Sequence, residues 1–264
     1  EGIADGRNLY ETIRQTVTKK PVVVLPVGKA DLGGFAESHT GKMIGAFDLT
    51  CAGLSQAGAV VVHSTGELID AVDAFSRFRL PPKADPGVGI LTGQAGPGLL
   101  MTDRLRSAGI SVPTISKKSQ ADIAAILPPL TYIKNPVDTG RPLENFGDVC
   151  VSLARDDAID AVLVYALHEA DSVDFGAAVS AGIAASGKPF IFGTQGVKSD
   201  IGPLIKSVRS AGAVGIASPD RVASAMRALV EDAKVQYRLG LPPQTEPETP
   251  DAKLPAKPDE ANVK

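Results

Sequence analysis

The chain has 264 residues, of which 44% are hydrophobic and 22% charged, and its formal net charge is -3 at pH 7. This composition is typical of a globular protein with one large or two ordinary domains, and no apolar run approaches the length of a membrane helix. The absence of a clustered basic segment argues against a nucleic-acid partner. We therefore expect a soluble, cytoplasmic protein that binds neither a membrane nor nucleic acid.

Helices and strands alternate in the prediction for the first 80 residues. Amphipathic spacing predicts the helices, and short apolar runs predict the strands. In chain order they are a helix over residues 6–19, a strand over 22–27, a helix over 42–57, a strand over 59–62 and a helix over 65–78. Leu49 and Leu54 are expected on the buried face of the second helix. Ser64 and Glu67 have the spacing of a capping box for the third helix.

A proline-rich joint at residues 80–86 predicts a domain boundary. Beyond it a second α/β pattern begins, again with alternating helices and strands. We expect strands over 87–92, around Val112, and over 161–167, 189–193 and 213–216, and helices over 99–108, 119–127, 143–155, 172–186, 200–211 and 219–237. A glycine loop at residues 93–98 joins the first strand to the first helix, and a long loop over 128–138 contains the sequence NPVD.

The fold class predicted from this order is α/β, with two flavodoxin-like parallel-sheet domains of which the first is incomplete. We place these domains at residues 1–80 and 87–237, and we interpret residues 238–264, rich in Pro and charged residues, as a disordered tail. The second sheet is expected to have strand order 2-1-3-4-5. In that topology the loops after the first and third strands, 93–98 and 167–172, face each other at the edge where ligands bind.

The three histidines of the sequence are candidates for site residues. His39 lies in a glycine-rich loop between a strand and a helix start, where backbone N–H groups favour an anion; the alternative is a surface histidine without a role. His63 precedes the capping serine, and we interpret it as structural. His168 follows a central strand beside Glu169 and Asp171, a position that favours a site but is also compatible with an ordinary exposed loop.

Other kinds of site are less well supported by the residues. The three histidines are dispersed, so no metal site is predicted, and Cys51 and Cys150 are interpreted as small buried hydrophobic residues. The loop over 93–98 has neither the dinucleotide fingerprint nor a P-loop ending, so anion binding through its amides is more plausible than nucleotide binding.

Several segments, in order, resemble one family. They are PVVVLPVGK, ESHTGKMIGAF, QAGAVVVHSTGELIDAVDAFS, GVGILTGQAGPGLLMTD and KNPVDTG, and together they span roughly residues 1–235. The chain resembles the NDP-forming acyl-CoA synthetases, which are relatives of succinyl-CoA synthetase, in the portion that corresponds to the α subunit.

This resemblance implies a chemistry and a set of site residues. Family members interconvert acid, CoA and ATP with acyl-CoA, ADP and phosphate through a phosphohistidine. The histidine of the family motif corresponds to His39, supported in its loop by Ser38, Thr40 and Gly41, and the glutamate that orients it corresponds to Glu1. The phosphate cradle is expected at Gly96, Pro97, Gly98 and Ser172. Asn135 and Asp138 of NPVD are expected to shape the neighbouring loop.

The resemblance also implies partners. The amino-terminal CoA-binding domain and the ATP-grasp domain of the family are not found in this sequence, so we expect both as partners in a larger oligomeric assembly. CoA and ATP or ADP would be substrates of the whole enzyme, with Mg²⁺ on the ATP-grasp part. Two alternatives stay open: an acyl-CoA-binding regulatory module of an acyltransferase-type relative, and a structural piece that holds a dimer together.

Overall fold

The computed structural model describes residue 3 and residues 5–30, 46–142, 144–169 and 173–240. Helices and strands alternate through most of these residues, as the sequence predicts. In chain order the elements are α1 (Gly6–Val17), β1 (Val23–Val24), α2 (Phe47–Ala57), β2 (Val60–Val61), α3 (Thr65–Arg77), β3 (Val88–Thr92), α4 (Ala95–Ser107), α5 (Lys117–Ile126), β4 (Tyr132–Ile133), β5 (Val137–Asp138), α6 (Phe146–Ala154), β6 (Ala161–Tyr165), α7 (Phe175–Ser186), β7 (Phe190–Gly193), α8 (Lys198–Ser210), β8 (Val214–Ile216) and α9 (Pro219–Gly240).

The strands form two sheets. β1 and β2 pair in parallel, and a six-stranded sheet has the order β4-β5-β3-β6-β7-β8. Its pairs are parallel except for β4 with β5, which is antiparallel. The α/β fold class with parallel sheets is therefore confirmed.

The predicted strand order 2-1-3-4-5 is found in the larger sheet. The strand predicted second, which flanks β3, is divided into two separate pieces. Ser111 makes an isolated parallel bridge to Gly87 at the start of β3, and Val137 and Asp138 pair with the end of β3. The strand pair β4 and β5 lies within the segment predicted as a long loop. Two-residue strands are too short to give an alternating pattern, so the sequence does not reveal them.

Hydrophobic residues pack on both faces of the six-stranded sheet. Alternate residues of β7 show the division: Ile191 packs with α4 and α9, whereas Phe190 and Phe192 pack with α6, α7 and α8. Successive side chains of a strand point to opposite faces, so a strand covered on both sides is apolar throughout. All five residues of β6 are buried.

The long helix α9 lies between the two sheets. It contributes Met226 to the core of the large sheet, Ala228 to the cluster around β2 and α3, and Val235 to the cluster around α1 and α2. Helix α9 ends at Gly240, three residues beyond the predicted end. The rest of the predicted tail, residues 241–264, lies outside the described residues.

Ion pairs reinforce the contact between the first 86 residues and the rest of the chain. Each joins a side chain of α3 or of the following segment to a helix or strand end of the larger unit. They are Asp70 with Arg221, Asp73 with Arg209, Arg79 with Asp232 and Lys83 with Asp160. The hydrogen bonds that the Arg221 guanidinium donates to Asp70 raise the pKa of Arg221, which therefore keeps its charge. The division into domains at residues 80–86 stays a prediction.

Helix ends follow the capping chemistry of the sequence. The Ser64 side chain accepts from the Glu67 N–H at 3.1 Å, and the Glu67 carboxylate accepts from the His63 N–H at 2.8 Å. The predicted capping pair therefore forms, with the carboxylate one residue further back than in the usual capping box. His63 is exposed, and its main chain is part of this cap.

Among the described residues, no helix combines the length and the apolar character that crossing a bilayer requires.

Candidate functional site

The candidate site lies at the carboxyl ends of β3, β5 and β6, the three neighbouring strands at the switch point of the larger sheet. The residues that follow these strands are 93–94, 139–141 and 167–169, and we refer to them as the three-loop site. Parallel sheets bind their ligands at this edge, because the loops there are free of the packing that covers the two faces.

The first loop is very short, because α4 starts only three residues after β3 ends. Gln94 is its N-cap residue with extended backbone, φ -145° and ψ 136°. The Thr92 hydroxyl donates to the Gln94 carbonyl at 2.6 Å and accepts from the Gln94 N–H at 3.2 Å. The end of the strand thereby fixes the start of the helix.

Two glycines in the first turn of α4 have different surroundings. A Cβ on Gly98 would lie 2.7 Å from Thr92 Cγ2, whereas a Cβ on Gly96 would have nothing within 4 Å. Gly98 lets the helix approach the strand end closely, whereas Gly96 is exposed and has room for a side chain. The N–H groups of a first helical turn have no acceptor within the helix, so this turn offers donors to an anion.

Hydrogen bonds join the first loop to the loop after β6. The Leu167 N–H donates to the Gln94 side-chain oxygen at 3.0 Å, and the Gly93 N–H donates to the Tyr165 carbonyl at 2.9 Å. The prediction that the loops after the first and third strands meet is thus confirmed for the part that the structure describes.

The third loop follows β5 and closes the same site from the other side. The Thr139 N–H donates to the Thr92 carbonyl at 2.9 Å, and the Thr139 hydroxyl donates to the Arg141 carbonyl at 2.7 Å. A Cβ on Gly93 would lie 3.0 Å from the Pro142 ring. Arg141 then reaches across to Glu169, with 2.7 Å between Nη2 and Oε2.

Two residues near the end of β6 have distinct environments. Tyr165 is fully buried, its hydroxyl donates to the Gln195 side-chain oxygen at 2.9 Å, and burial raises its pKa to about 12. It is therefore a neutral phenol at physiological pH.

His168 is half-buried beside the loop after β7, where a Cβ on Gly196 would lie 3.8 Å from His168 Cβ. A site role for His168 stays a prediction.

The NPVD segment acts as a support for β3. The buried Asn135 side chain accepts from the Ile90 N–H at 2.9 Å and donates to the carbonyls of Val88 at 2.9 Å and Pro113 at 2.7 Å. Asp138 accepts from the Gly140 N–H at 2.9 Å and so forms the turn after β5. Both residues shape the loop, in agreement with the sequence prediction.

The structure places the predicted phosphate-binding glycines differently from the sequence analysis. Gly96, Pro97 and Gly98 were predicted in a loop before a helix that starts at residue 99, but α4 already begins at Ala95. Pro97 has no N–H to donate, and the Gly98 N–H donates to the Gln94 carbonyl at 3.4 Å. The amides of Ala95 and Gly96 are therefore the better donors for an anion.

The remaining predicted site residues lie outside the described residues. They are the phosphoryl carrier His39, its orienting residue Glu1, the loop residues Ser38, Thr40 and Gly41, and Ser172 of the phosphate cradle. Their roles stay predictions.

The three-loop site and the end of β3 that supports it contain residues that the sequence analysis does not single out. Thr92 and Gln94 fix the helix start, and Arg141 with Glu169 bridges its mouth. Thr92 is a polar residue at the end of an otherwise apolar strand, and this pattern in the sequence indicates a side chain that contributes to the site. The Arg141 contact depends on the turn after the two-residue strand β5 and leaves no pattern in the sequence.

The two cysteines differ in burial, although the sequence predicts both to be buried. Cys150 is fully buried and burial raises its pKa to about 12, whereas Cys51 is half-buried, and both thiols are free. In the part of the chain that the structure describes, no group of three or more His, Cys, Asp or Glu residues is arranged to hold a metal ion.

Two grooves lie away from the three-loop site. One of about 690 Å³ lies between α2, β2 and α9, and one of about 410 Å³ lies between α5 and α6. An ion pair lies in each groove: Arg227 pairs with Glu231 in the first, and Lys118 pairs with Asp122 in the second. The convergence of three strand ends therefore makes the three-loop site the stronger candidate.

A family model matches the beginning of the chain. It describes the succinyl-CoA ligase like flavodoxin domain, and the match covers residues 1–75. This segment contains α1 to β2 and most of α3.

Curated relatives match longer stretches of the chain. Over 139 residues, or 52% of this chain, it is 34% identical to the ADP-forming acetate–CoA ligase II subunit alpha of Pyrococcus furiosus. Over 166 residues, or 62% of this chain, it is 30% identical to the ADP-forming acetate–CoA ligase I of Archaeoglobus fulgidus. The chain spans 30% and 24% of the length of these two relatives.

A solved structure matches nearly the whole described fold. It is the dinucleotide-forming acetyl-coenzyme A synthetase 1 of Candidatus Korarchaeum cryptofilum in complex with phosphate and ADP. The TM-score is 0.79 at 23% identity, over 90% of this chain and 53% of the other. At this identity the likeness concerns the fold.

Proposed function

Because this chain is a relative of the ADP-forming acyl-CoA ligases, we propose that it is the α-subunit-like part of an NDP-forming acyl-CoA synthetase. The whole enzyme interconverts acid, CoA and ATP with acyl-CoA, ADP and phosphate through a phosphohistidine at His39. The observation that carries this proposal is the convergence of three loops on the start of α4, at the switch point of the larger sheet.

The first turn of α4 receives the phosphoryl group in this proposal. The amides of Ala95 and Gly96 have no acceptor within the helix, and the positive end of the helix favours negative charge. Phosphoryl transfer depends mainly on positioning and on dipoles aimed at the phosphate. Since Thr92 and Gln94 hold this turn by hydrogen bonds, the donors are preorganised.

His39 is the nucleophile in the proposed reaction. A neutral imidazole nitrogen attacks the phosphorus of an acyl phosphate, an N–P bond forms, the P–O bond to the acyl group breaks, and the carboxylate leaves. Glu1 accepts a hydrogen bond from the N–H of the other ring nitrogen, which fixes the tautomer and raises the basicity of the attacking atom. Ser38, Thr40 and Gly41 shape the loop, and Ser172 adds to the cradle with the amides of Ala95 and Gly96.

The reaction requires parts that we assign to partners. An ATP-grasp domain with Mg²⁺ exchanges the phosphoryl group between His39 and ADP, and a CoA-binding domain presents the thiol. One of the similar ligases is named as a subunit alpha, which supports the proposal that this chain acts with partner subunits in a larger, oligomeric assembly. The chain by itself is then inactive as a ligase.

Reconstitution tests this assignment. The full chain is mixed with acid, CoA and ATP, with and without a complementing ATP-grasp and CoA-binding partner, and acyl-CoA is measured by liquid chromatography. We expect acyl-CoA only in the complete mixture. Formation of acyl-CoA by the chain alone would contradict the proposal that partners supply the ATP-grasp and CoA-binding parts. Absence of product with a partner that is active on an intact homologue would contradict the ligase assignment.

A further inference from the structure

A buried side chain directly after β7 has an unused hydrogen-bonding group. Thr194 is 0% exposed, and its Oγ1 has no hydrogen-bond partner among the described residues. The proposed mechanism does not use this hydroxyl. Building on the proposed function, we propose that Thr194 determines which acid is accepted. Its hydroxyl binds an uncharged oxygen at the end of the acid that is remote from the carboxyl group.

The hydroxyl of Thr194 does not serve the fold. A buried hydroxyl without a partner destabilises a protein, and a valine of nearly the same shape would avoid that cost. Thr92, which ends β3 and is also 0% exposed, shows the contrast: its hydroxyl donates to the Gln94 carbonyl and accepts from the Gln94 N–H. Since most buried polar groups are paired, an unpaired one in a parallel sheet's ligand-binding edge indicates a partner that arrives with the ligand.

The main chain of Thr194 lies at the same edge of the sheet as the three-loop site. The Thr194 N–H donates to the Ile216 carbonyl at 3.2 Å, and the Gly193 carbonyl accepts from the Ala166 N–H at 3.1 Å. Ala166 directly precedes Leu167, the first residue of the loop after β6. Thr194 is therefore one strand away from the three-loop site.

The direction of the side chain follows from the alternation along the strand. Phe190 and Phe192 pack on the face covered by α6, α7 and α8, so Thr194 points to the same face. Ala166 packs on this face too. The hydroxyl is thus placed beside an alanine of the neighbouring strand and beyond the ring of Phe192.

The loop after β7 closes over this position. A Cβ on Gly196 would lie 2.9 Å from Ile201 Cγ2 and 3.8 Å from His168 Cβ, and Ile201 is buried in α8. Contacts of Gly196 with Ile201 and with His168 therefore cover the hydroxyl. An acid reaches Thr194 when the contact between His168 and Gly196 opens.

The surroundings favour an uncharged group on the ligand. Ala166, Phe192 and Ile201 are apolar, so an anion placed here would lose its hydration and gain no counter-charge from them. A hydroxyl or carbonyl oxygen suits Thr194, whose own hydroxyl both donates and accepts. The charged end of the acid belongs at the start of α4, where the proposed function places the phosphoryl group.

The distance between the two positions sets the length of the acid. Neighbouring strands are about 4.8 Å apart, so β7 lies about 10 Å from β3. In the acyl phosphate of a four-carbon acid with a terminal hydroxyl, six bonds separate the phosphorus from the terminal oxygen, a span of about 7 Å in an extended chain. A hydrogen bond to Thr194 adds about 2.8 Å. The inferred substrate class is therefore a short acid with an uncharged oxygen about four carbons from its carboxyl group.

Titration of the full chain with 4-hydroxybutanoate and with butanoate, followed by ligand-observed NMR, tests this inference. These two acids differ only in the terminal hydroxyl. We expect the wild type to bind 4-hydroxybutanoate about tenfold more tightly, as one additional hydrogen bond allows. Thr194→Val should bind the two acids equally, and Thr194→Ser should keep most of the preference because it keeps the hydroxyl.

Urea unfolding of the same variants separates ligand binding from a structural role. Thr194→Val should have a midpoint equal to or higher than that of the wild type, because it removes a hydroxyl without a partner. Thr92→Val is the matched control, and its midpoint should fall because a paired hydroxyl is lost. An equal fall in both variants would show that Thr194 has a partner in the ligand-free protein and would overturn the inference.

The binding data decide the role of Thr194 independently of the ligase assignment. A wild type that binds the two acids within twofold of each other, or binds neither, would overturn that role, and so would a preference that persists in Thr194→Val. Reconstituted synthesis of acetyl-CoA from acetate does not require Thr194, because acetate is too short to reach it. Failure of that synthesis would therefore count against the proposed function, whereas loss of the preference between the two acids would count against Thr194 alone.

Discussion

The side chain of Asn135 pairs with the main chain of Ile90 as a neighbouring strand would. Its Oδ1 accepts from the Ile90 N–H at 2.9 Å, and its Nδ2 donates to the Val88 carbonyl at 2.9 Å. The strand that should flank β3 is interrupted between Ser111 and Val137, and the amide of Asn135 supplies the missing hydrogen bonds. The strand that ends at the three-loop site is thereby held along its length.

Replacement of Asn135 by Ala should therefore destabilise the protein strongly. Three hydrogen bonds are lost and their main-chain partners stay buried without a partner, which we expect to lower the free energy of unfolding by about 3 kcal/mol or more. Urea unfolding followed by circular dichroism measures the change. Asn8→Ala is the control, since Asn8 is exposed in α1, and it should change the stability by less than about 0.5 kcal/mol. Equal stability of the two variants would contradict the role of Asn135.

The two glycines of the first turn of α4 provide a matched pair. In Gly98→Ala the new Cβ would lie 2.7 Å from Thr92 Cγ2, so the helix start or Thr92 must shift, and we expect a loss of about 1–3 kcal/mol. In Gly96→Ala the methyl group meets open space, and the higher helix propensity of Ala should leave stability equal or raise it by up to about 1 kcal/mol. Thermal unfolding of both variants measures the difference. A Gly96→Ala variant less stable than Gly98→Ala would contradict the assignment of the close contact to Gly98.

A buried ion pair links α9 to the segment after α3. Arg79 binds both oxygens of Asp232, at 2.8 and 3.0 Å, and Asp232 is 1% exposed. Asp232→Asn leaves the half-buried guanidinium without its counter-charge, and we expect a loss of about 3 kcal/mol. Lys118→Gln removes an exposed pair, in which the lysine side chain is 87% exposed, and should cost less than about 0.5 kcal/mol. If the urea midpoints of the two variants fall equally, burial does not determine how much each ion pair contributes to stability, and the prediction is wrong.

The two cysteines should differ in reactivity. Burial raises the pKa of Cys150 to about 12, so at pH 8 its thiol is almost fully protonated and also shielded from reagents. Partial burial, together with the nearby Asp48, raises the pKa of the half-buried Cys51, so it should label more slowly than a free thiol and faster as the pH rises. Mass spectrometry after maleimide treatment should find one label on the native chain and two after unfolding, and Cys51→Ser should abolish the native label. Rapid labelling of native Cys150 would contradict its burial.

The larger sheet was predictable because its strands are covered on both faces. Residues 161–165 are apolar and all buried, and such a run between turn residues is a strong strand signal. The order of the strands then brings the loops after β3 and β6 together. Topology does not say which side chain joins them, so the bond from Leu167 to Gln94 could not be foreseen.

Two local errors have physical causes. Gly96, Pro97 and Gly98 are poor residues for a helix interior, which moved the predicted start to residue 99, but in a first turn proline lacks only an N–H that has no partner within the helix. Leu49 was expected on the buried face with Leu54, yet it is 75% exposed. The two residues are five apart, or about 140° around the helix, and so lie on different faces.

Phosphorylation of His39 is the most direct test of the proposed function. The full chain is incubated with a complementing ATP-grasp partner and ATP labelled at the γ-phosphate, and the protein-bound label is tested for stability in acid and base. We predict a label that is lost in acid, retained in base and absent from His39→Ala. A label that persists in His39→Ala, or no label with a partner that phosphorylates an intact homologue, would contradict the role of His39 as the phosphoryl carrier.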